Sequence, residues 1–66
     1  METQKARKIA EGMTLLVSYE GSAVAVGHDQ LWAGPHAGRV SDGDAQRLRA
    51  LGWFLDNETD SWSVFV

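Results

Sequence analysis

Apolar residues recur along this chain with two different periods, and the alternation between the periods divides it into six elements. Ile9, Met13 and Leu16, with Ala6 and Val17 beside them, stand at helical spacing, which predicts a helix over about residues 3–19 that stops at Gly21. A rival pattern overlaps its end: Leu15, Val17 and Tyr19 alternate, which would break the helix at Gly12 and make residues 14–19 a strand. The helix is preferred, because Gly12 inside it costs only about 1 kcal/mol relative to Ala, and a buried Ile9-Met13-Leu16 stripe offsets that. Residues 23–27 and 30–33 then alternate on either side of Gly27-His28-Asp29 and read as a hairpin. Residues 34–38, with two glycines and the only proline, read as an irregular loop.

The firmest element follows. Ser41 is an N-cap that can accept from the backbone N–H of Asp44, and the Asp44 carboxylate stands where it can reach back to the cap as a shortened capping box. Asp42 and Asp44 complement the positive end of the helix dipole and Arg47 and Arg49 the negative end. Ala45, Leu48 and Leu51 form the apolar stripe, and Gly52 ends the helix in the left-handed conformation. Past it, residues 53–55 and 61–66 bracket the acidic turn Asp56-Asn57-Glu58-Thr59-Asp60, with Trp62, Val64 and Val66 on one face of the last strand and Ser61, Ser63 and Phe65 on the other.

The order α-β-β-α-β-β predicts one small α+β domain over residues 1–66, an antiparallel sheet of up to four strands with helices packed on one face. Residues 1–12 are a candidate poorly ordered extension. Two helix-and-hairpin units in succession hint at an internal duplication, although little beyond a strand tryptophan and a glycine after each helix aligns.

Composition narrows the function classes. Sixty-six residues bury a marginal core, and with no cysteine there is no disulfide, thiolate metal site or cysteine nucleophile. Three Trp, two Phe and one Tyr, together with burial between subunits, are the available sources of stability, so a homodimer or higher oligomer is expected. A net charge of -3 disfavours general nucleic-acid binding. No apolar run approaches the ~20 residues of a membrane span and no signal-type segment opens the chain, so a cytoplasmic location is expected.

Side chains with chemistry are few. His28 and His36 lie eight apart, in a turn and a loop, and read as surface histidines rather than as part of a metal site. Serines at 18, 22, 61 and 63 match no nucleophile motif, so neither catalysis nor a cofactor is expected. Asp56, Glu58 and Asp60 would share one side of a strand; without calcium-loop spacing, they read as a solvated hairpin tip that discourages edge pairing. Arg47 and Arg49 flank Leu48 on opposite sides of the helix and suit snorkelling and dipole complementation. A sharper reading joins Arg39 to one of them and to an exposed tryptophan to hold a phosphate-bearing ligand. Trp53 and Trp62 read as core, facing each other across the terminal hairpin. Trp32 follows Leu31 directly, so if Leu31 is inward Trp32 is outward, and an outward tryptophan is a candidate interface or ligand platform.

His28-Asp29-Gln30-Leu31-Trp32-Ala33-Gly34-Pro35, then Val40-Ser41-Asp42-Gly43-Asp44, Leu48, Leu51-Gly52-Trp53, Asp56 and Ser61-Trp62-Ser63-Val64-Phe65-Val66 together resemble a group of small uncharacterised bacteriophage and mobile-element proteins. The resemblance covers about residues 27–66 and rests mostly on fold markers. It implies a phage origin and a non-enzymatic inhibitor of host antiviral defence. The expected mechanism is sequestration of a nucleotide-derived signal, of cyclic oligonucleotide or cyclic ADP-ribose type, in a site between subunits built from Trp32, His28, His36, Arg39, Arg47 and Arg49. The alternative is an acidic, anti-CRISPR-like inhibitor that blocks a host protein by direct contact through Glu20, Asp56, Glu58 and Asp60. A third reading is a structural interaction protein with no ligand.

Overall fold

The computed structural model describes residues 2–66, in the order α1 (Thr3–Val17), β1 (Ala23–Val26), β2 (Gln30–Gly34), a 3-10 turn (Ala37–Arg39), α2 (Asp42–Ala50), β3 (Phe54–Asp56) and β4 (Ser61–Phe65). All strand pairs are antiparallel, and the order across the sheet is β1-β2-β4-β3. This is the α+β arrangement that the two hydrophobic periods predict. Each hairpin places its first strand outside and its second inside, so the two hairpins occupy like positions about the β2–β4 seam. Among the described residues no helix is long and apolar enough to cross a membrane.

The helix, not the rival strand, continues past Gly12 to Val17, and residues 3–12 are its first turns rather than a loose extension. They are held because Ile9 and Gly12 are buried, and because the Glu2 carboxylate accepts from the N–H groups of Gln4 and Lys5 at 2.8 and 3.1 Å. At the other end the Ser22 hydroxyl lies 2.7 and 2.6 Å from the carbonyls of Leu16 and Tyr19, which share its one proton just past the helix end. Gly34 completes β2, and Ala37–Arg39 adds a short 3-10 turn to a segment whose glycines and proline predict only loop.

α2 begins as its sequence predicts, with the Ser41 hydroxyl accepting from Asp44 N–H at 3.2 Å. The return half of the capping box differs. Aspartate is one methylene shorter than the glutamate of the full motif, and the Tyr19 hydroxyl fills the gap: it accepts from Ser41 N–H at 3.1 Å and donates to the Asp44 carboxylate. The cap is thereby relayed through a residue from the end of α1, which ties the two helices together.

Ile9, Leu16, Ala33, Leu48, Leu51, Trp53, Trp62 and Val64 form the core between the helices and one face of the sheet. Trp53 and Trp62 both belong to it, but not as a facing pair. The register sets Leu55 opposite Trp62, which leaves Trp53 one position further along on the same face. Trp53 leans on α1 instead, its indole N–H directed at the Lys8 carbonyl at 3.4 Å and its backbone N–H donating to Leu48 O at 2.9 Å. A Cβ at position 12 would stand 2.0 Å from the Trp53 indole nitrogen. Gly12 is therefore the gap through which helix and tryptophan approach, which the helix propensity of glycine does not reveal.

Two effects oppose each other at this position. Gly12→Ala gains about 1 kcal/mol of helix propensity, but overpacking of this kind costs about 1–3 kcal/mol or more. Steric conflict with a ring fixed on both sides outweighs propensity, so Gly12→Ala is expected to lower the urea midpoint of unfolding. A raised midpoint would show that Trp53 does not lie on α1.

Candidate functional site

With Leu31, Ala33, Trp62 and Val64 turned to the helices, alternation sends Gln30, Trp32, Phe54, Asp56, Ser63 and Phe65 to the opposite face, which no element among the described residues covers. Trp32 is outward, as its place after Leu31 predicts. Its two ends are held far apart: the six-membered ring lies against Gly27, where a Cβ would come within 2.9 Å of it, and the indole N–H donates to Asp56 Oδ2 at 2.8 Å. The ring therefore lies diagonally along the sheet from β1 toward β3. It roofs Ser63, which is fully buried although it belongs to the uncovered face. Beneath that roof, Gln30 Nε2 donates to Ser63 Oγ at 2.7 Å and the Ser63 hydroxyl donates to Leu31 O at 2.7 Å, so the buried serine is satisfied. Phe54 and Phe65 stack beside it with ring centroids 5.2 Å apart. No strand contains a lysine or arginine.

Asp56 is fixed from both sides, since its other oxygen accepts from Glu58 N–H at 3.0 Å. The Trp32 N–H, seconded by donors from Glu58 and Thr59 and opposed by partial burial, holds the Asp56 carboxyl below the usual carboxylate range. β3 ends here, so Asp56, Glu58 and Asp60 do not line one side of a strand: Glu58 lies in the exposed turn, and Asp60, at φ 52°, faces His36 at 3.6 Å. The hairpin tip borders the uncovered face at the Asp56 end.

The cationic half of the expected ligand site does not gather around Trp32. Arg39 donates to the Glu20 carbonyl at 2.8 Å, in the connection from α1 to β1. Arg47 pairs with Glu11 of α1, and the Arg49 guanidinium lies over Trp62, 5.4 Å from the ring centre. Each arginine is engaged by a local partner, as snorkelling and helix pairing require. His36 caps the 3-10 turn by accepting from Gly38 N–H, and His28 lies exposed in the first hairpin turn. Glu20 is exposed, and its backbone carbonyl receives the Arg39 guanidinium. Among the described residues no three His, Asp or Glu side chains gather as a metal site would need.

Sequence reasoning missed two features. The Phe54–Phe65 stack completes the aromatic face: alternation along the last strand turns Phe65 outward, but the register that brings Phe54 beside it is set only by the pairing of β3 with β4. A depression of about 340 Å³ lies between the start of α1 and the last strand, lined by Ile9, Leu51 and Val64 and by the charged Glu2, Lys5 and Lys8. Lysines at i and i+3 beside an inward Ile9 are its only sequence sign. Comparison with protein-family models, curated proteins and solved structures gave no match.

The depressed Asp56 pKa makes a stabilising contribution that is complete above the unfolded value of about 4 and is lost as pH falls through the lower folded value. In melting scans from pH 6 to pH 2.5, Asp56→Asn is expected to remove part of the acid loss of stability below about pH 4. Profiles that run parallel throughout would show that the Trp32 bond does not favour the ionised carboxylate.

Proposed function

We propose that this chain is a non-enzymatic binding protein that occludes a basic surface on a partner protein, using the uncovered sheet face as its contact. The observation that carries this is the Trp32–Asp56 bond: it joins an aromatic platform to a fixed carboxylate on a face with no basic strand residue. Such a surface suits an aromatic or aliphatic side chain laid on Trp32 and the Phe54–Phe65 pair, with a neighbouring Arg or Lys reaching Asp56 and Glu58. Aromatic anchors carry much of the energy at protein interfaces, and a carboxylate rim selects for basic partners. For a protein of phage or mobile-element type, that partner would be a component of host defence.

The nucleotide-signal reading keeps one supporting observation at a different place. A phosphate needs cations, and Lys5 and Lys8 line the depression beside α1, whereas Arg39, Arg47 and Arg49 are engaged elsewhere. The two readings therefore use separate surfaces and separate residues.

Titration by tryptophan fluorescence and calorimetry with two decapeptide panels, each containing one aromatic residue and either Arg and Lys or Asp and Glu, discriminates between them. The basic panel is expected to bind, and Trp32→Ala to weaken it by about 2 kcal/mol, roughly thirtyfold. Asp56→Asn with Asp60→Asn should weaken it as well. Thermal stabilisation by cyclic di- or trinucleotides, abolished by Lys5→Glu with Lys8→Glu, and no response to basic peptides, would overturn the proposal.

A further inference from the structure

β1 is an edge strand of four residues, Ala-Val-Ala-Val, without a charge and exposed along its length. Natural edge strands are usually blunted by charge, proline or a bulge, and this one carries none of them. The other edge, β3, is short and ends in the acidic tip. On β1, Val24 and Val26 are 52% and 75% exposed, on the face that the helices cover elsewhere.

The hydrogen-bonding direction of each β1 residue follows from its turn. Gly27 N–H donates to Gln30 O at 2.7 Å, so Gly27 and Gln30 are a hydrogen-bonded pair. Such pairs alternate along an antiparallel ladder, so Ala25 and Ala23 also direct their backbone groups to β2. Val24 and Val26 are left with both N–H and C=O directed outward. Two outward residues at i and i+2 are what an antiparallel copy of the same strand requires.

We infer that β1 pairs with β1 of a second copy about a two-fold axis at Ala25, so that Val24 and Val26 exchange reciprocal hydrogen bonds with Val26 and Val24 of the second copy. The valines of both copies then form one apolar row on the helix side, and the two sheets become a single sheet with both helix layers on one face. The pairing is independent of what binds the uncovered face, yet it shapes that face: three strand spacings put the two Trp32 platforms about 14 Å apart.

Sedimentation equilibrium from micromolar to millimolar concentration is the test. The wild-type chain is expected to approach twice its 7.2 kDa mass. Val26→Lys and Val24→Pro, at positions whose side chain or N–H faces outward, should keep the wild-type circular dichroism and lose the dimer, while Val26→Ile keeps it. A wild-type chain that stays at 7.2 kDa throughout, or a dimer that Val26→Lys and Val24→Pro leave intact, would overturn the proposal.

Discussion

The approach of the Trp53 indole to Gly12 is the constraint on which the rest of the arrangement depends. Trp53 follows Gly52, whose φ of 91° turns the chain from α2 into β3, and its backbone N–H closes α2 onto Leu48. The ring then reaches α1 through the one position on that helix without a side chain. A single tryptophan therefore sets the distances between the first helix, the second helix and the last hairpin. A chain of this size has little other core with which to set them. The Tyr19 relay to Ser41 and Asp44 joins the same helices at a second point, so α1 and α2 are fixed against each other both by packing and by hydrogen bonds.

What was legible in the sequence is what local periodicity encodes. The six elements, the Ser41 cap, the left-handed Gly52 and the outward Trp32 each depend on neighbours within a few residues. Pairings between distant residues were not legible. Nothing near Gly12 announces Trp53, nothing near Ser41 announces Tyr19, and nothing near Trp32 announces Asp56. The arginines misled for a related reason: a cation's charge is visible in sequence, but the partner that occupies it is not, and Arg39, Arg47 and Arg49 are engaged at three separate places.

The Trp32–Asp56 bond also changes how the functional candidates group. Trp32 belongs by residue type with stacking on a nucleobase, and Asp56 with acidic contact to a protein, yet the fold makes them one unit. A ring whose edge is satisfied by a carboxylate offers only its face to a ligand, and the ionised partner repels phosphate. That combination is the ground for proposing a basic protein surface rather than a nucleotide at this place.

Trp32 and Ser63 are direct partners across the β2–β4 seam, and each is the third residue of the inner strand of its hairpin. They are the same position in two like halves, filled by the largest residue in one and a small one in the other. Two tryptophans there would compete for the same ground, since the indole of one lies where the other would have to begin. The departure from symmetry is what produces a floor with a direction: one platform, one carboxylate at its end, and an orientation that a partner can read from a scaffold whose topology alone has none.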